Sequence, residues 1–408
     1  MGDILSTISN FVKSMGFNYI IDCYENGIWM GWRYLVMYFI AGVLIYLAIA
    51  KKFEPLLLLP IAIGMLLTNL PGANLFHLDM WIAADETVHL TVLDSIKMVI
   101  NEGGFLDLLY MGVKLGIYPC IIFIGIGAMT DFTPLIANPK YFLIGAGAQF
   151  GVFVAFSAAI LSGVYNVGEA ASIGIIGGAD GPTAILVTKT LGPAILGAVA
   201  IAAYSYMALI PMIQPPFMKL LTTKKERLIK MPKLRDVSRL EKLVFPVLVT
   251  FVVGILVPDA LSLVGCLMFG NILNVCGVTE RLSKTVQNEF MNIITILLGI
   301  SVGATASAAN FLSIQTVIIV VCGLVAFCIS TCGGLVTAKI MNWLSGGKIN
   351  PLIGSAGVSA VPMAARVAQT VGQKEDPTNF LLMHAMGPNV AGVIGSAVAA
   401  GVFLSWIG

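Results

Sequence analysis

The residues of this chain that could do chemistry stand where an apolar sequence would be expected to exclude them. Asp180 lies in GGADGPTAI, residues 177–185, between glycines and a proline and inside a long apolar run. Arg366 lies in a second interrupted run, NPLIGSAGVSAVPMAARV at residues 350–367, which also offers Asn350, Gly354, Gly357 and Ser359. Tyr206, in AAYSYMALIP, follows the first interruption, and Asn389, in HAMGPNVAG, holds the same position after the second. A carboxylate, neutral amide and hydroxyl oxygens, and backbone carbonyls freed at a helix break form the donor set of a hard monovalent cation. A guanidinium beside them suits a carboxylate, whose two oxygens match its planar fork.

What those groups cost depends on the solvent, and the composition fixes the solvent. Of 408 residues, 58% are hydrophobic and 11% charged, and mean hydropathy is +0.94. A soluble domain carries roughly 25% charged residues, so this is a polytopic membrane protein. Apolar runs fall near 33–50, 54–70, 105–129, 141–163, 168–190, 192–213, 243–275, 290–308, 312–341, 349–371 and 379–406. They predict an all-α fold of about eleven transmembrane segments, with 243–275 either two short helices or one kinked at Pro258.

In that solvent an acidic side chain costs about 2.5–3.5 kcal/mol at mid-membrane. Each interior glycine adds about 1 kcal/mol and the proline about 3 kcal/mol. No plain spanning helix recovers those terms. The stretch therefore predicts a helix unwound near 178–182 that shows Asp180 and free carbonyls to a cavity. Asp180 could equally cap a half-helix starting at Pro182, and the two roles are compatible. Arg366 needs an anion: Asp180 as a structural bridge, or a substrate carboxylate. Tyr206 reads as a site residue or as a packed or interfacial aromatic next to Tyr204. Asp131, His384 and Lys339 read as loop, cap or snorkelling residues.

Charge sets the orientation. Residues 219–242 hold nine Lys or Arg against three acidic residues, which places this loop in the cytoplasm as a topology signal or as a docking strip for an acidic partner or anionic headgroups. Lys51 and Lys52 are a weaker inside marker. Five apolar runs lie between the two markers, an odd number. One run must fail to cross, and the Asp180 run is the candidate. Charge clustered in one loop gives no case for nucleic acid. Three histidines without paired spacing speak against a transition-metal site. The seven cysteines, scattered through apolar runs, read as reduced packing residues. Residues 8–22 read as an amphipathic surface helix, the N-terminal myristoylation pattern as coincidental, and 72–104 as an interfacial segment opposite the basic loop.

The chain also repeats. At an offset of 180, Gly174 meets Gly354, Pro182 meets Pro362, Ala184 meets Ala364 and Val187 meets Val367, and upstream GAM at 127–129 meets GAT at 303–305. One Gly/Pro-interrupted segment per half is the signature of transporters built from repeats around a midplane site. The expected organisation is 1–104, an N-terminal surface helix, two spans and the interfacial segment; 105–213, a first repeat broken at 174–184; 214–287, the basic loop and linking spans; and 288–408, a second repeat broken at 350–367.

GGADGPTAI, the Tyr206 segment, NPLIGSAGVSAVPMAARVAQ and MHAMGPNVAGVIGSAVAAG together resemble the β subunit of the sodium-translocating, biotin-dependent decarboxylases, which act on oxaloacetate, methylmalonyl-CoA, glutaconyl-CoA or malonate. The resemblance runs from about residue 30 to the end. It implies a multi-pass subunit of a bacterial or archaeal inner membrane that decarboxylates carboxybiotin delivered by a partner, moves Na⁺ outward and consumes a proton. It implies inverted repeats, an elevator-like core and an assembly of protomers in lipid. The implied partners are a carboxyltransferase α subunit with a biotin carrier domain and a small membrane γ subunit. By the same resemblance Asp180, Asn350, Gly354, Ser359 and Asn389 serve Na⁺, and Arg366, Tyr206 and Ser359 serve carboxybiotin, with Asp180, Tyr206 and Arg366 catalytic. A sodium-coupled carboxylate transporter without an enzymatic step would use the same broken helices.

Overall fold

The computed structural model describes residues 16–21, 23–25, 28–82 and 91–408. Apart from one antiparallel pair, Tyr24–Glu25 with Ile28–Trp29, its regular elements are helices. Residues 8–15 and 22 of the expected surface helix lie outside the described residues, as does His89; Gly16–Ile21 is helical.

Six described helices are long and apolar enough to cross a membrane, or up to eight if each of two bent pairs is one span. The eleven runs resolve into several kinds of element. Residues 33–50 fall in the single helix Gly31–Ala50, whereas Pro55–Thr68 is a shorter apolar helix. The 105–129 run is bent by 65° between Phe105–Lys114 and Ile117–Met129, at the left-handed Gly116. The 192–213 run becomes the helix Leu196–Leu221, bent by 65° between Met207 and Leu209. Pro211 explains that bend: it has no N–H to give, and its ring displaces the Met207 carbonyl. The long run at 243–275 divides at Pro258 into Arg239–Leu256 and Leu261–Val275.

Two runs fold back. In the first, Val167–Gly174 leads through the 3₁₀ turn Ile175–Gly178 to Gly181–Leu191. Gly168 abuts the Leu191 carbonyl and Gly192 abuts Glu169, so both ends of the segment lie together. In the second, the 3₁₀ stretch Pro351–Gly357 leads to Met363–Glu375. Its ends also lie together, because the Asn350 and Asn379 amides both donate to the carbonyls of Arg227 and Ile229. Each is a hairpin that turns back on itself, and together with the shorter helix Pro55–Thr68 they account for the surplus of apolar runs over full-length helices. Their tips meet where the Ser359 N–H donates to the Gly178 carbonyl at 3.0 Å.

Packing around the hairpins is close. The helix Ile314–Leu344 crosses the second hairpin with Gly334 and Gly354 facing one another, and a Cβ on either would strike the other's carbonyl. Gly354 is thus required by backbone approach. The apolar residues around the tips, among them Ile176, Ala356, Val390 and Ala397, are fully buried.

Candidate functional site

Asp180 ends the break as the N-cap of Gly181–Leu191. Ala179 turns the chain through the left-handed region (φ +56°), and Pro182 in the first helical turn needs no hydrogen-bond partner for its nitrogen. The capping role anticipated from sequence is therefore present: Asp180 Oδ1 accepts from the Thr183 N–H at 3.4 Å. Its second oxygen does more. Ser396 Oγ donates to Asp180 Oδ2 at 2.8 Å, and Ser359 Oγ lies 2.7 Å from Ser396 Oγ and 3.0 Å from the Gly392 carbonyl. A chain of hydroxyls thus joins the tip of the second hairpin to the carboxylate of the first.

Asp180 is 5% exposed and Ser396 is fully buried. Among the described residues no Lys, Arg or His lies within ion-pair distance of Asp180; its partners are a hydroxyl and a backbone N–H. A carboxylate kept in such surroundings without a counter-charge calls for a cation or a proton. Several buried side-chain oxygens nearby also lack a partner: Thr183 Oγ1, Gln149 Oε1 and Tyr204 Oη. A donor set of hard oxygens with spare lone pairs fits a small monovalent cation.

The other expected residues separate into groups. Asn389 is fully buried and its Nδ2 lies 3.0, 2.7 and 3.4 Å from the carbonyls of Ala356, Val358 and Ala360, while its Oδ1 is unpartnered. It organises the unwound tip on which Ser359 sits. Asn350 is not brought to Asp180: its Oδ1 accepts from the Leu352 N–H and its Nδ2 holds the basic segment, so both ends of the amide are committed. Gly354 contributes the close helix crossing described above. Tyr206 is buried with its hydroxyl donating to the Val320 carbonyl, so it joins neither Asp180 nor Arg366.

Arg366 is exposed and forms no hydrogen bond or ion pair through its guanidinium among the described residues; the structural bridge to Asp180 is not made. It faces a groove of about 260 Å³ walled by Pro211 and Pro215 on one helix and by Met363, Val367 and Val371 on its own. The expected single cavity for Arg366, Tyr206 and Asp180 therefore divides in two: a buried oxygen cluster and an open cationic groove.

The basic segment also has a structural role. Arg227 pairs with Glu375 at 2.9 Å, Lys230 with Asp376 at 3.0 Å, and Arg235 with Glu241 at 2.7 Å. It straps the second hairpin at both ends. Thr378 and Lys230 hold the Asp376 carboxyl down to about 2, and hydrogen bonds from Thr223 and Lys339 keep Glu226 below its ordinary value despite partial burial. Lys339 also caps the Leu221 carbonyl at 3.1 Å, Asp131 caps the turn into Thr133 at 2.9 Å, and His384 meets the Tyr141 hydroxyl at 3.1 Å.

Sequence reasoning missed Ser396, Gln149 and Tyr204. Ser396 was accessible in principle, since it lies seven residues, two helical turns, after Asn389 on one face. Gln149, between Tyr141–Ala148 and Phe150–Leu161, has no local pattern to mark it.

Helices long and apolar enough to cross a membrane, two hairpins that turn back on themselves and a buried oxygen cluster at their tips define an ion-handling integral membrane protein. More narrowly, the chain belongs to the family of Na⁺-transporting oxaloacetate decarboxylase β subunits, whose model matches residues 33–407. It is 55% identical to a methylmalonyl-CoA decarboxylase β subunit of Propionigenium modestum, over 99% of this chain and 100% of that one. It is 54% identical to a glutaconyl-CoA decarboxylase β subunit of Acidaminococcus fermentans, covering 92% and 94% of the two chains. With an oxaloacetate decarboxylase β chain of Klebsiella pneumoniae it shares 51% identity, covering 91% and 94%.

Proposed function

We propose that this chain is the membrane subunit that decarboxylates carboxybiotin and couples the reaction to outward Na⁺ transport with uptake of a proton. The observation that carries this reading is the buried Asp180 carboxylate, without a counter-charge, where two hairpin tips meet among neutral oxygens. Na⁺ is the transported substrate, held by Asp180 with Ser359, Ser396 and Asn389 close by. Pairing with Na⁺ neutralises Asp180. Carrying one unit charge against 100 mV costs about 2.3 kcal/mol, so a neutral pair moves more readily than a bare carboxylate.

Carboxybiotin is taken up in the groove at Arg366, whose free guanidinium receives the carboxylate while the proline and valine walls receive the ring. Loss of CO₂ breaks the N–C bond and leaves the electron pair on the biotin nitrogen, which takes up the proton. A relay by Tyr206 would require its bond to the Val320 carbonyl to open first. Nothing in the chain selects the source acid, because carboxybiotin is the same molecule whichever acid carboxylated it.

The two hairpins enter from opposite faces and belong to inverted repeats, 105–213 and 288–408. With the shorter Pro55–Thr68 taken as a crossing beside the bent Phe105–Met129 pair, Tyr141–Leu161 and Leu196–Leu221, an even number of crossings separates Lys51–Lys52 from the strap, a count that supports a cytoplasmic position for both in a bacterial or archaeal inner membrane. The hairpins and the elements that grip them form the moving core of an elevator-like device within a homo-oligomer. The partners are a biotin-carrying α subunit and a small γ subunit.

The test is the initial rate of decarboxylation of free carboxybiotin by the purified chain against Na⁺ concentration. Wild type shows a Na⁺-dependent rate that Asp180→Asn abolishes. A wild type inactive at every Na⁺ concentration, even with its α partner, would move the assignment to a sodium-coupled carboxylate transporter.

A further inference from the structure

Two of the unpartnered oxygens near Asp180 come from outside both hairpins. Gln149 stands at the joint between Tyr141–Ala148 and Phe150–Leu161, 5% exposed. Its Nε2 donates to the Gly392 carbonyl at 3.3 Å, the same carbonyl that Ser359 Oγ approaches, and its Oε1 has no partner. A methyl group placed on Gly178 would stand 3.4 Å from that Oε1 and 3.2 Å from Ser396 Cβ, so the free amide oxygen lies beside the hydroxyl chain that leads to Asp180.

Tyr204 is fully buried on the helix Leu196–Leu221, and its hydroxyl is likewise without a partner. Its ring occupies the space in which Gly181 would carry a side chain, with the hydroxyl oxygen 2.7 Å from that Cβ position. That contact requires the glycine directly after Asp180. Tyr206, two residues on, has its hydroxyl committed to the Val320 carbonyl. Of the two tyrosines, Tyr204 is the one whose hydroxyl has no partner and lies at the break.

Buried amide and phenol oxygens find hydrogen-bond partners in nearly every protein, and orphaned ones mark a missing ion or water. Two of them around an uncompensated carboxylate indicate one guest. We propose that Gln149 Oε1 and Tyr204 Oη are ligands of the cation held at Asp180, supplied by elements that flank the hairpins. This rests on the reading of Asp180 as the Na⁺ site. It adds that ion binding fastens the hairpin tips to the Gln149 joint and to the bent Tyr204 helix, so an empty site is a loosened one.

The experiment measures Na⁺ itself, with no turnover needed: ²²Na⁺ binding and the Na⁺-dependent rise in melting temperature of the full chain purified in detergent. Gln149→Leu and Tyr204→Phe each raise the half-saturating Na⁺ about tenfold, the lower end of what a lost contact at a metal site does. Gln149→Glu, which keeps the oxygen, retains binding. A melting temperature measured without Na⁺ separates loss of binding from loss of fold. If Asp180→Asn binds Na⁺ normally, the underlying site reading fails. If Asp180→Asn loses binding while Gln149→Leu and Tyr204→Phe match wild type, this inference alone is overturned.

Discussion

The two hairpins share a plan and differ in where each puts its charge. The first hides Asp180 at its tip, 5% exposed, as the cap of a buried half-helix. The second places neutral groups at its tip, Ser359 and the carbonyls gathered by Asn389, and carries Arg366 out on its returning helix, exposed to a groove. Had both charges been placed at the tips they would have neutralised each other, and neither would be open to a substrate. Under the proposed function, separating them lets one hairpin take a cation and the other an anion. The second hairpin is strapped by ion pairs from Arg227 and Lys230; in the first, the Asn166 and Glu169 capping box closes one end.

That contrast can be broken from either side. The largest effect is expected at the groove: Arg366→Gln should lower kcat/KM for carboxybiotin about thirty- to a hundredfold, roughly the loss of a charge-assisted contact of 2–3 kcal/mol. Steady-state kinetics on free carboxybiotin checks it, and a variant with wild-type kcat/KM would remove the anion from the groove. A middle effect is expected at the strap. Asn350→Ala removes the amide that caps Leu352 and holds two strap carbonyls. At about 1 kcal/mol per hydrogen bond, it should destabilise the chain by roughly 2–3 kcal/mol in thermal unfolding.

The smallest effect concerns pH. The Asp376 carboxyl is held down to about 2, so its contribution to the strap is fully present above the ordinary carboxylate pKa of about 4 and is lost as pH falls from there through about 2. Limited proteolysis at the strap should therefore be flat between pH 5 and 8 and rise only in acid. A rise near pH 6 would mean that another group controls the strap.

Much of this arrangement was legible in the sequence, for reasons that differ by residue. Asp180 stood out because an acid, glycines and a proline in lipid carry a computable cost, and only a break with a cap offsets it. The odd count of apolar runs between Lys51–Lys52 and the basic loop already required a run that turns back. The separation of Arg366 from Asp180 was not legible, because the sequence shows that both are costly and not which way a side chain leaves its helix. Asn350 looked like an oxygen ligand because an amide carries no mark of its partner, and here the partner is a carbonyl more than a hundred residues earlier. Ser396 reaches Asp180 from 216 residues downstream, and Gln149, 31 residues upstream, lies beside Gly178, distances over which residue type alone carries no signal.

The central claim is that cation and anion occupy separate sites on the two hairpins. The most direct measurement is ²²Na⁺ binding to Arg366→Gln beside carboxybiotin binding to Asp180→Asn, both on the purified chain. The separated arrangement predicts that Arg366→Gln binds Na⁺ like wild type and that Asp180→Asn still binds carboxybiotin. Loss of Na⁺ binding in Arg366→Gln together with loss of carboxybiotin binding in Asp180→Asn would contradict it and return both ligands to a single cavity.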